Sequence, residues 1–190
     1  MMEFALILPV FVFGVMGGME YAWEAVCRQK IQRLAATSAD NTARIRGAID
    51  ETDIHEIMAA VRLNGADLDF QHRGRVIISS IQRNKAGNGD WVRWQRCFGE
   101  KKATSKFGGE GHGANDDTMH GLHGDAAMRP PPGIALVVAE VYYDHQPLVT
   151  DRYFGRRTLS YETAFIVRDR NDLSLGNVTG LSNDEKLTCA

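Results

Sequence analysis

Phe4-Ala5-Leu6-Ile7-Leu8-Pro9-Val10-Phe11-Val12-Phe13-Gly14-Val15-Met16-Gly17-Gly18-Met19 contains no charged residue, and the acids Glu3 and Glu20 bracket it. A helix continued from this run to Val26 reaches roughly 35 Å at about 1.5 Å per residue. That is enough for a hydrocarbon core of about 30 Å. The uncharged part alone is short against the roughly 17–25 residues that a span needs. Tyr21-Ala22-Trp23 then supplies aromatic side chains of the kind that settle at a bilayer interface. Pro9 is costly in a soluble helix, whereas membrane helices tolerate it when neighbours satisfy the freed carbonyl. Gly14 and Gly18 form a small-xxx-small pair that admits close helix–helix approach. A cleaved signal peptide fits less well, because Glu3 is acidic, no Lys or Arg precedes the run and no Ala-x-Ala follows it. A buried core helix needs cover on all sides, and the remaining chain is too polar to provide it easily.

Outward from this run the chain is an ordinary water-compatible sequence. Its 190 residues fit one domain plus an appendage. The net charge is −2 with both signs interspersed, which leaves no electrostatic footprint for nucleic acid. Ile31, Leu34, Ala35, Ser38, Thr42, Ile45 and Ile49 recur at spacings of three and four, so the first helix continues beyond the apolar run to about Ile49. The stripe suits packing on a sheet, and Glu24 and Arg28 are placed as an i,i+4 ion pair. Asp53-Ile54-His55-Glu56 reads as a capping box for a short helix, and Asn64-Gly65 as its stop.

From residue 68 the period changes. Arg75 to Ile81 is β-branched and strand-like, Asn84 to Gly89 is turn chemistry, and Trp91 to Phe98 completes a hairpin. Ile134 to Tyr143 is nearly continuously apolar and predicts a central strand, and Leu159 to Arg168 alternates. These elements predict an α+β, pilin-like fold: a long N-terminal hydrophobic helix followed by a small antiparallel β-sheet head. The division is 1–50 for the transmembrane and stalk helix and 51–190 for the head. A Gly/His/Asp-rich flexible surface loop is expected at about 100–133, and an irregular tail from Asn171.

Candidate chemistry is thin. His112, His120 and His123 share the loop with Asp116, Asp117 and Asp125, and His120-x-x-His123 is compatible with a shared metal. No rigid element positions these ligands, so no metal or other cofactor is expected. Glu140 and Glu162 sit within strands without a nucleophile beside them. They are expected to face solvent or to pair with Arg93, Arg96 or Arg168. A Cys97–His145 nucleophile–base pair lacks a supporting third group. No Gly-rich phosphate loop follows a strand, and no catalytic residue is assigned. Three cysteines, Cys27, Cys97 and Cys189, leave at least one unpaired, and a Cys97–Cys189 bridge is chemically allowed in an oxidising compartment.

Met2-Glu3-Phe4-Ala5-Leu6-Ile7-Leu8-Pro9-Val10 resembles the opening signature of TadE-like proteins, the minor pilins or pseudopilins of the tight-adherence (Flp, type IVc) pilus system. Met19-Glu20-Tyr21, Trp94-Gln95-Arg96-Cys97-Phe98-Gly99 and Val138 to Leu148 also resemble that family, so the likeness covers most of the chain. It implies a non-enzymatic pilus-assembly component supporting adhesion, held in the inner membrane with its head in the periplasm and able to enter the extracellular pilus. Its partners would be other pilins, the assembly machinery, a prepilin peptidase and membrane lipid. The resemblance places the family's conserved acid at Glu3, followed by Phe4, and expects a basic leader ending in glycine upstream. It also favours the Cys97–Cys189 pairing. The implied assembly surface is Glu3, Phe4, Pro9, Gly14 and Gly18. Arg28, Lys30 and Arg33 follow the apolar run and point to the opposite orientation by the positive-inside rule, unless leader charges dominate. The competing class is a single-pass, membrane-anchored periplasmic domain whose His/Asp loop captures a ligand or a metal ion.

Overall fold

The computed structural model describes residues 2–125, 128–149, 151 and 155–189; within α1 the side chains of residues 2, 3, 5 and 6 lie outside the description. Helix α1 (Met2–Arg44) carries Pro9 inside its apolar part. It ends five residues short of the expected Ile49. Gly47, at φ +77°, adopts a left-handed conformation that other residues rarely take, and Ile49–Asp50 then forms the short strand β1. Helix α2 (Glu51–Asn64) is closed by a capping box, but three residues earlier than expected. Asp50 is the cap, accepting from Thr52 N at 3.1 Å, and Asp53 returns the bond by accepting from Asp50 N at 2.8 Å. Gly65 stops α2 where the sequence placed the break. A 3₁₀ turn (Ala66–Leu68) and the single-turn helix α3 (Phe70–Arg73) lead into the sheet.

The sheet contains β2 (Gly74–Arg83), β3 (Asp90–Phe98), β4 (Leu136–His145) and β5 (Arg157–Ile166), all antiparallel, in the order β3-β2-β4-β5. The α+β expectation of a long apolar helix and a small antiparallel sheet therefore holds. The tail is less irregular than its composition implied. Strand β6 (Leu175–Gly176) pairs in parallel with β1, and Cys97 N donates to Leu187 O at 2.7 Å.

Both faces of β4 are covered, which is why its sequence reads as a continuous apolar run. Val137, Ala139, Val141 and Tyr143 pack with Cys27, Ile31, Leu34, Ala35 and Ala39 of α1 and with Ile54, Met58 and Val61 of α2. Leu136 and Val138 point the other way and pack with Ile81, Val92, Phe107, Met119 and Leu122. The last three belong to the 100–133 segment. It forms no α-helix or long strand among the described residues, yet it supplies the second core. Its apolar residues are scattered along the chain, so no periodicity announces them.

Candidate membrane and assembly surface

The long helix changes character at Glu20. Before it, Phe4, Ile7, Val10, Phe11 and Phe13 are 62–73 % exposed. After it, Cys27, Ile31, Leu34, Ala35, Ser38 and Thr42 are buried against the sheet. Among the described residues this is the one helix long and apolar enough to cross a membrane. Phe4 and Pro9 lie on its exposed part, and a Cβ built on Gly14 or Gly18 meets nothing within 4 Å. A close-approach face is therefore open in the single chain. The Glu3 side chain, the first member of the expected assembly surface, lies outside the described residues.

The junction between arm and head is a built site. Glu20 is only 5 % exposed and its Oε2 accepts from the backbone N–H groups of Leu148 and Val149, at 2.8 and 3.0 Å. Trp23 Nε1 donates to Gln146 O at 3.3 Å. Glu24 accepts from Arg28 at 2.6 Å, as the i,i+4 spacing predicted, and also faces Arg157 at 3.7 Å. His145, 3 % exposed, stands 3.5 Å from Glu20 Oε1, and neither of its ring nitrogens makes a hydrogen bond. A cavity of about 130 Å³ opens beside these side chains, lined also by Gly17, Tyr21 and Gly155. It is roomy enough for water to serve the imidazole.

Glu20 and His145 were not singled out by the sequence as site residues. The signal was present: residues 20, 24, 27, 31, 34 and 38 continue one helical stripe, so the acid at the end of the apolar run lies on the sheet-facing side.

The remaining candidates resolve into structural roles. Cys97 and Cys189 form the disulfide and Cys27 is a buried free thiol, so Cys97 is no nucleophile for His145. Among the described residues no group of three or more His, Cys, Asp or Glu is arranged to hold a metal ion. His123 instead contacts Glu162 at 2.7 Å and lies against Phe107. Glu140 is 1 % exposed rather than solvent-facing, and its partners are not the expected arginines. Ser105 Oγ, Lys106 N and Tyr142 Oη donate to it. Glu162 lies directly across the β4–β5 ladder from Glu140 and pairs with Lys106 Nζ at 3.1 Å. The 100–133 segment thus gives hydrogen-bond donors to one and a cation to the other of two facing carboxylates that would otherwise repel. Burial, with Glu140 adding to it, pushes the Tyr142 hydroxyl well above its usual range, so it stays a donor. Arg96 instead forms a buried bidentate pair with Glu51, its Nε 3.1 and 3.0 Å from the two oxygens, and a second pair with Glu110 at 2.8 Å.

No family profile, curated protein or solved structure matches this chain.

Proposed function

We propose that this chain is a membrane-anchored, TadE-like minor pilin: a non-enzymatic component that initiates or enters a tight-adherence type IV pilus and so supports surface attachment. The observation that carries the reading is the bare arm. One continuous helix is apolar from Phe4 to Met19 and largely exposed at its described side chains there, then locked into a disulfide-bonded head from Glu20 onward. Large apolar side chains gain about 1.5–3 kcal/mol each on leaving water. A rod studded with them is matched to lipid before assembly and to neighbouring helices afterwards.

In this reading the arm spans the inner membrane and the head lies in the periplasm, where a Cys97–Cys189 bridge is chemically stable. A prepilin peptidase removes the leader, and Glu3 meets the free amine of an adjacent pilin. Gly14 and Gly18 give the neighbouring helix room to approach. Leader charges outweigh Arg28, Lys30 and Arg33 in setting orientation.

The test is fractionation and cross-linking of the full chain in cells that carry the pilus machinery. The chain is expected in the membrane pellet and cross-linked to other pilins through arm positions. Glu3→Ala should abolish incorporation while the head keeps its disulfide. A freely soluble monomer without detergent, or unchanged incorporation of Glu3→Ala, overturns the reading.

A further inference from the structure

At the end of the sheet remote from the arm, the β2–β3 hairpin carries a groove with a different chemistry. Two adjoining cavities, of about 440 and 420 Å³, share Gln82, Arg83 and Arg93 as lining residues. Trp91, Lys85 and Glu110 also line the first and Asp172 the second. The ladder register sets the location. His145, beside Glu20, marks the arm end of β4, whereas Leu136 at its other end pairs with Ile81, next to Gln82 and Arg83. A ten-residue strand separates the two ends, roughly 30 Å at about 3.3 Å per residue.

Basic side chains outnumber acidic ones in the groove although the whole chain is acidic: Arg83, Lys85, Arg93 and Arg96 line it against Glu110 and Asp172. Glu110 is committed to Arg96 Nη1 and to Gln95 N. Asp172 accepts from the N–H and hydroxyl of Ser174, which hold its carboxyl below the ordinary range, with Arg93 and Arg170 assisting. Arg83 donates through Nε to the Pro130 carbonyl, which fixes the side chain without neutralising it. With its amide turned to satisfy both neighbours, Gln82 accepts from Trp91 Nε1 and Arg93 Nη1 at 3.1 Å each. The indole and the guanidinium are thereby held side by side before any ligand arrives. Preorganisation of this kind lowers the entropic cost of binding.

We infer that this groove binds an acidic oligosaccharide: a uronate-bearing glycan whose pyranose ring lies on Trp91 and whose carboxylates meet Arg83, Lys85 and Arg93. The apolar C–H face of a sugar ring matches an indole, and a guanidinium matches a carboxylate in a two-point contact. Competing occupants fit less well. A lipid headgroup is excluded by the distance from the arm. A nucleic acid strand stacks successive bases on successive rings, but Trp94, the other groove indole, is 2 % exposed. An extended acidic peptide would add to the free edge of β3. That edge is already engaged, by Val92 with Gly111 and His112 and by Cys97 with Leu187.

The test titrates the full chain in detergent with oligogalacturonate, following tryptophan fluorescence and calorimetry. Neutral dextran oligomers, poly-glutamate and a single-stranded oligodeoxynucleotide serve as comparison probes. Oligogalacturonate should saturate a single site, and dextran should not bind. Trp91→Ala and Arg93→Gln should each weaken binding by about tenfold or more. Lys85→Gln, in the exposed hairpin turn, should weaken it several-fold without touching the fold. The inference is overturned if oligogalacturonate fails to bind at millimolar concentration. It is equally overturned if poly-glutamate or the oligodeoxynucleotide binds as tightly, or if correctly folded Trp91→Ala and Lys85→Gln both bind like the parent. Because the site lies on the head, the result stands apart from whether the arm enters a membrane.

Discussion

Glu20 is the side chain that sets the arm on the head, and its removal has a calculable consequence. Its carboxylate accepts two backbone N–H groups, from Leu148 at 2.8 Å and Val149 at 3.0 Å, and lies 3.5 Å from His145. A hydrogen bond to a charged group contributes about 1.5–3 kcal/mol net when the site is dry. Both donors sit in a partly exposed turn, and the Leu148 side chain is 55 % exposed. Water can therefore replace part of what is lost. Two bonds at roughly half their dry value make Glu20→Ala destabilising by about 2 kcal/mol. Glu20→Gln keeps an accepting oxygen in place, and it should cost about half as much. The assay is denaturant unfolding of the full chain in detergent followed by tryptophan fluorescence. A pulsed-EPR distance between spin labels at Phe11 and Tyr161 should broaden in Glu20→Ala, because the arm loses its fixed angle. Glu24→Ala is the control, since its ion pairs involve largely exposed arginines and are worth little. A loss below about 0.5 kcal/mol with an unchanged distance distribution would refute the assignment of Glu20 as the clamp.

Three further outcomes follow from the head. Cys97→Ser with Cys189→Ser opens a bridge spanning 92 residues of sequence separation. Loop closure on that scale is worth about 4 kcal/mol, so thermal unfolding should drop by roughly 10 °C, while Cys27, 0 % exposed, stays unreactive to thiol reagents in the folded chain. Arg96→Met strands the buried Glu51 carboxylate and should cost about 3–5 kcal/mol, whereas adding Glu51→Leu should recover most of it; urea midpoints of the two variants decide this. Burial works against charge on Asp144, but Lys101 and Thr158 hold its carboxyl below the ordinary value. Its contribution is therefore complete above that value and lost as pH falls through the lowered one. The stability gap between the parent and Lys101→Met, measured at pH 6, should shrink below about pH 4.

Local signals carried much of this architecture. The uncharged run, the three-and-four spacing of Ile31, Leu34, Ala35, Ser38 and Thr42, the Asn84–Gly89 turn and the Asn64-Gly65 stop all depend on residues within a turn or two of each other. Each appears in the folded chain where the sequence put it. The capping box lies three residues earlier than expected because Asp50 and Asp53 both carry acceptors near the same helix start, and Asp53 serves as the returning partner instead of the cap. The loop at about 100–133 could not be read as a core element, since Phe107, Met119 and Leu122 share no period and become neighbours only under β4.

The amino-acid order alone was sufficient for the apolar rod, the four strands of the main sheet and the helix–sheet character, because hydrophobic spacing and turn chemistry act over a few residues; the two-residue strands β1 and β6 carry no such local signal. Long-range pairing decided the rest. Glu20 finds Leu148, Glu51 finds Arg96, and Trp91 comes to stand beside Gln82 and Arg83, only once the strands have taken their register. Contacts between groups far apart in the chain are set by how layers stack and which carboxylates that stacking buries, a property of the whole fold and of no single stretch within it.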